Sequence, residues 1–148
     1  MDCFICRKHL GETVVPGGLV YEDDHVYIGH RAFGEEPGYL GYFMIDAKRH
    51  AEGLGALTDE ESAAVGMWTN RISQALKTMT SAEHVYAFVH GEAVAHFHMH
   101  IVPRYPGTPD TYRNPMMAAL SPEAPRGDSE QIEALCARIR GYVARYFL

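Results

Sequence analysis

The sequence is short of basic charge. Its 148 residues carry 13 lysines and arginines against 19 aspartates and glutamates, a formal net charge of −6 with histidines neutral. That balance excludes the broad positive footprint by which proteins hold DNA, RNA or an anionic membrane. No DNA, RNA or membrane partner is expected, and any nucleotide-like ligand must be held locally. Long apolar runs are also missing: nothing nears the roughly 18–20 residues of a membrane span. The opening MDCFICRKHLG lacks the basic start and long apolar stretch of a secretion signal, so a cytoplasmic location is expected. Cysteine is scarce, with only Cys3, Cys6 and Cys136. An odd number with one C-x-x-C points to metal or redox chemistry rather than a disulfide framework. Internal repeats and low-complexity tracts are absent. The length suits one domain over residues 1–148 with a single sizeable core.

What is there reads as short strands with few helices. Cys3 to Gly11 is a short helix or turn. Leu19–Glu22 and His25–His30 are two strands split by Asp23-Asp24. Gly34–Gly38 reads as a loop, and Tyr39–Asp46 as a buried strand. Thr58 with Glu61 has the form of a capping box. The helix behind it reaches about Met79, with Ala64, Trp68, Ile72 and Leu76 as an apolar stripe. Val85–Val89 and Phe97–Arg104 are two more strands. Residues 106–127 form a long loop with one turn near Met116–Leu120, and residues 128–147 a C-terminal helix. Ile132, Leu135, Cys136, Ile139, Val143 and Phe147 make that helix's buried face. Most connections between strands are too short for helical crossovers. The expected fold is therefore α+β: a mostly antiparallel sheet of about five strands, a long central helix and a C-terminal helix.

The unusual feature is histidine: nine in the chain, three of them within His96-Phe97-His98-Met99-His100. In a strand these three share one face, while Phe97, Met99 and Ile101 face the core. Neighbours on one face sit roughly 6.6–6.8 Å apart. Such a row suits contact with successive phosphates of a bound chain. An exposed sheet face and a three-histidine zinc site are the competing uses of the pattern. Histidine is both nucleophilic and protonatable near neutrality, which favours nucleophilic or acid–base chemistry.

The segment His96-x-His98-x-His100, followed by Pro103-Arg104, resembles the defining motif of the histidine triad (HIT) superfamily. Cys3-x-x-Cys6, Val20-Tyr21-Glu22-Asp23 and Lys48-Arg49-His50 followed by Leu57-Thr58-Asp59 agree in order and spacing. The similarity covers about residues 3–105. It implies a hydrolase or transferase acting on nucleoside monophosphates linked through phosphorus to a leaving group, such as a dinucleoside polyphosphate or an adenylate conjugate. His98 would attack the α-phosphorus and His100 would stabilise charge or pass a proton, with His96 completing the catalytic set. The resemblance also implies structural zinc on Cys3, Cys6, His50 and His96, no organic cofactor, and a homodimer built near the long helix.

Two segments depart from the family's pattern. Where many members have a polar side chain against the phosphate, this chain has His90-Gly91-Glu92-Ala93. Gly91 can still bring backbone close to an anion, and His90 can supply a donor; a carboxylate at Glu92 repels phosphate. In the first half, His30 and Tyr42 are the candidates for lining the nucleoside pocket. His9, His25 and His84 read as surface or turn residues. Arg104 suits either a phosphate or an internal salt bridge. Tyr112, Arg113 and Asn114 sit in a loop long enough to close over a leaving group. A nucleotide-binding module with little turnover is the reading from outside enzymology.

Overall fold

A computed structural model describes residues 2–32 and 37–148. The loop expected over Gly34–Gly38 falls mostly outside the described residues. The chain opens with α1 (Phe4–His9), ended by Gly11 in the left-handed region at φ 79°. Then come β1 (Leu19–Glu22), β2 (Val26–His30), β3 (Gly38–Tyr39) and β4 (Phe43–Ala47). A long helix, α2 (Asp59–Met79), precedes β5 (His84–Phe88) and β6 (His98–Arg104). The chain closes with β7 (Arg126–Gly127) and α3 (Ser129–Phe147). Five strands form an antiparallel sheet in the order β1-β2-β4-β6-β5, and β3 pairs with β7. The expected α+β class with five principal strands and two long helices is what the structure has.

Both long helices begin on reciprocal caps. Thr58 accepts from the Glu61 N–H at 3.1 Å while Glu61 accepts from the Thr58 N–H at 2.9 Å; Asp128 and Gln131 do the same for α3. Glu61 also takes a two-pronged bond from Arg49, 2.8 Å at each oxygen. That bond holds its carboxyl down at about 2. It also ties the segment before α2, and so His50, to the helix start.

The helices cover one face of the sheet. Val26, Ile28, Phe43, Ile45 and Ile101 point into that core against Trp68, Ile72, Leu76, Ile132 and Ile139. By alternation the opposite face carries Tyr27, Met44, Asp46, His98 and His100. On that face Lys8 and His9 of α1 reach Asp46, and a cavity opens beside His98 and His100.

Three expectations need correction. Tyr39–Asp46 is not one strand: Gly41, at φ 86°, turns the chain between β3 and β4. A Cβ there would lie 2.9 Å from the Tyr105 hydroxyl, so both the turn and the packing require glycine. The strand carrying the histidines begins at His98, not Phe97. The stretch 106–127 is less irregular than expected: it holds two 3-10 turns, Asp110–Tyr112 and Ala118–Leu120, besides β7.

Candidate active site and metal centre

The N-terminal C-x-x-C is brought against two histidines distant in sequence. Cys3, Cys6, His50 and His96 each offer a ligand atom, all within 4.8 Å of one another. Cys6 Sγ lies 3.3 Å from His50 Nδ1 and 3.5 Å from His96 Nδ1. Cys3 Sγ is 3.5 Å from His96 Nδ1, and the two Nδ1 atoms are 3.2 Å apart. With metal bonds of roughly 2.0–2.3 Å, the edges of a tetrahedral zinc site are roughly 3.3–3.8 Å. Four of the six donor separations, 3.2 to 3.5 Å, already sit near those values, and none exceeds 4.8 Å. His96 Nε2 donates to the Ala47 carbonyl at 2.7 Å, which leaves the Nδ1 lone pair for the cluster. Burial holds the His96 imidazole below its ordinary pKa, in the neutral form a ligand needs. The residues fit a Cys2His2 zinc centre.

His96 is therefore not the first of a row on the strand. Phe97 donates to the Ala51 carbonyl at 2.6 Å and accepts from Ala47 N–H at 3.1 Å. This turns the His96 ring into the cysteines, 1% exposed, ahead of the strand. What it presents to the next histidine is its carbonyl. His98 Nδ1 donates to that oxygen at 2.6 Å. A neutral imidazole fixed this way has its lone pair on Nε2.

His98 and His100 border a cavity of about 330 Å³ on the sheet face opposite the helices, beside Asp46, Lys8, Phe4 and Ile5. Their ring centroids are 5.4 Å apart. His100 lies flat on Phe88, centroids 4.6 Å apart and planes 4° from parallel. Its Nδ1 is 2.7 Å from the Tyr42 hydroxyl. Arg31 lies over the Tyr42 ring, its guanidinium carbon 4.8 Å from the centroid. With the tyrosine hydroxyl donating to Nδ1, the His100 proton is on Nε2. Burial, helped by the neighbouring His98 and Arg31, pushes the His100 pKa down to about 4. At neutral pH it is an uncharged hydrogen-bond donor.

The other expected substrate residues divide. His90 and Gly91 border the cavity, Gly91 at φ 76°. His30 borders it too but is spent on the backbone: Nε2 accepts from Gly41 N–H at 3.1 Å and Nδ1 donates to the Arg31 carbonyl at 2.9 Å. Tyr42 lines instead a smaller cavity of about 190 Å³ on the far side of His100, with Phe88, Met116 and Leu120. Arg104 takes the internal option, bonding Glu83 at 3.0 Å and the Tyr86 hydroxyl at 2.8 Å. Arg113 pairs with Glu83 and Asp110; the following residues, not Tyr112–Asn114, reach the smaller cavity.

Sequence reasoning missed Asp46. It lies directly opposite His98 across β4 and β6 and is fully buried. One oxygen, Oδ2, receives Lys8 Nζ at 2.5 Å and His9 Nε2 at 3.1 Å. Those partners, with Lys8 foremost in charge and His9 in hydrogen bonding, hold its pKa below the usual carboxylate range against desolvation. His9 is accordingly not a surface residue: its side chain is 7% exposed and stacks on Tyr27 at 4.5 Å. An aspartate in an otherwise apolar strand, FMIDA, was the available signal.

Comparison with known proteins follows the same lines. An uncharacterised HIT-like protein of Methanocaldococcus jannaschii is 30% identical over 110 residues, covering 71% of this chain and 81% of its own. A zinc-bound histidine triad family protein from Mycobacterium smegmatis superposes with a TM-score of 0.72 at 20% identity, over 98% of this chain and 95% of its own. A diadenosine triphosphate hydrolase of Plasmodium falciparum, solved with cyclomarin A, gives 0.65 at 15% identity, over 91% and 82%. At those identities the two structures show a shared fold. The sequence model of the HIT domain matches residues 12–107, well over half the chain, and with it the triad strand; this protein belongs to the HIT family.

Proposed function

We propose that this protein hydrolyses nucleotides at the α-phosphate, acting on a dinucleoside polyphosphate or a nucleoside monophosphate conjugate through a nucleotidyl-histidine intermediate. One observation carries the reading. His98 has its Nδ1 proton committed to a carbonyl 2.6 Å away, so Nε2 is the unshared, nucleophilic nitrogen at a cavity of ligand size. The Nε2 lone pair forms a P–N bond as the bond from phosphorus to the leaving oxygen breaks. Water then attacks phosphorus, the P–N bond breaks, and its electrons return to His98. His100, neutral with a proton on Nε2, donates to a phosphoryl or leaving-group oxygen. His96 acts through its backbone oxygen and as a metal ligand. Cys3, Cys6, His50 and His96 would hold zinc, which supplies a rigid crosslink between α1 and the strand of His98. The Plasmodium neighbour's diadenosine triphosphate is the first substrate class to try, and a homodimer, read by sedimentation, belongs to the same reading.

The same intermediate intercepted by phosphate or a sugar phosphate would make a transferase. A binding module with little turnover has its own observation: Glu92 borders the cavity, where a carboxylate opposes phosphate. The test is product analysis with diadenosine polyphosphates and adenylate conjugates. Wild type should release nucleoside monophosphate. His98→Asn should bind nucleotide yet turn over about a thousandfold slower or less. Tight nucleotide binding by wild type without product from any of them would favour the module.

A further inference from the structure

Asp46 has one oxygen too many for a structural role. It borders the cavity, shows no exposed surface, and gives Oδ2 to both Lys8 and His9. Oδ1 has no hydrogen-bond partner among the described residues. A carboxylate oxygen is an acceptor only, with two lone pairs. Burying one without a donor is costly, and a well-packed apolar side chain would serve the fold as well or better. The cost is recovered when a ligand donates to that oxygen. Oδ2 already has its two donors, so any further donor to this carboxylate must come to Oδ1, which is itself buried.

Building on the nucleotide-site reading, we propose that Asp46, positioned by Lys8 and His9, is a base-recognition residue that makes the cavity prefer guanine. Among the four ribonucleotide bases guanine alone presents an imino N–H and an amino N–H side by side on one edge. Both can donate to a carboxylate. Adenine, cytosine and uracil bring a single N–H group to theirs. Guanine also carries a carbonyl oxygen next to the imino group, an acceptor for Lys8, which borders the same cavity and whose ammonium lies 2.5 Å from Asp46 Oδ2. Asp46 faces the same side of the sheet as His98, its cross-strand neighbour. The base reader and the attacking nitrogen thus belong to residues that border one cavity.

Calorimetric titration of the metal-loaded protein with GMP, IMP and AMP tests this without any need for turnover. GMP should bind about tenfold tighter than AMP, a bidentate contact's worth of discrimination. IMP, which keeps the imino donor and the carbonyl but lacks the amino group, should fall between. Asp46→Asn should shrink the GMP preference at least threefold. Equal or tighter binding of AMP by wild type overturns the proposal while leaving the nucleotide site standing. So does a folded Asp46→Asn protein with its preference intact. Binding of none of the three removes both.

Discussion

If Cys3, Cys6, His50 and His96 hold zinc, removing it should release α1 before it unfolds the protein. The segment from Cys3 to Leu10 buries one large apolar side chain, Ile5, at 4% exposure. That contributes about 1.5–3 kcal/mol. The bonds from Lys8 and His9 to Asp46 add about 1.5–3 kcal/mol each. Together these give about 4.5–9 kcal/mol. Ordering eight residues costs about 8–16 kcal/mol of backbone entropy, and a six-residue helix has no stability of its own. Without a further tie this balance favours release of the segment; a structural zinc site on its cysteines, worth on the order of 10 kcal/mol, would hold it. The main core contains no residue of α1, so the sheet should survive. Hydrogen exchange before and after chelation is the assay. Amides of Phe4–His9 should lose protection, those of β4 and α2 should keep theirs, and KM should rise with the loss of Phe4, Ile5 and Lys8 from the cavity wall. Unchanged protection in α1 after verified metal removal would show that the metal does not hold the helix in place. Cys6→Ser should reproduce the effect without a chelator.

Three further outcomes follow from the geometry. Tyr42→Phe removes the hydroxyl 2.7 Å from His100 Nδ1; a lost bond of about 1–1.5 kcal/mol predicts a roughly five- to tenfold fall in kcat with little change in KM, and an unchanged kcat would contradict the tautomer assignment. The His100 ring resonances should titrate with a midpoint of about 4. Because that folded value lies below the ordinary value near 6.5, the unfolded chain takes the proton first, and this group's contribution to stability is lost as pH falls from about 6.5 towards 4; a midpoint above 6 by NMR would refute this. Trp68, fully buried beneath Tyr21, should cost about 3–5 kcal/mol as Trp68→Ala in denaturant titration. Trp68→Phe should cost far less, since its Nε1 has no partner among the described residues.

The parts of this molecule written in local chemistry were legible. The Thr58 cap, the Asp128 start of the last helix and both apolar stripes depend on residues three or four apart, and each lies where its spacing put it. The C-x-x-C and the triad carried a family resemblance strong enough to bring His50 and His96 into one cluster. The misses are tertiary. Nothing near Asp46 in sequence says that Lys8 and His9, some 37 residues earlier, will close over it. The turn at Gly41 serves the pairing of β3 with β7, a strand 87 residues away across the loop. His96 left the strand because two backbone bonds to Ala47 and Ala51 and the pull of the cysteines outweigh alternation. Period-2 reasoning placed His98 and His100 on one face but had no term for a metal centre at the strand's start.

If His98 is the nucleophile, the stereochemical course at phosphorus must record two displacements. A substrate chiral at the α-phosphorus, hydrolysed in isotopically labelled water, reports whether one displacement or two took place. Two in-line displacements, through a bond to His98 and then to water, predict net retention of configuration. Net inversion would mean that water attacks the substrate directly and that His98 is not the nucleophile.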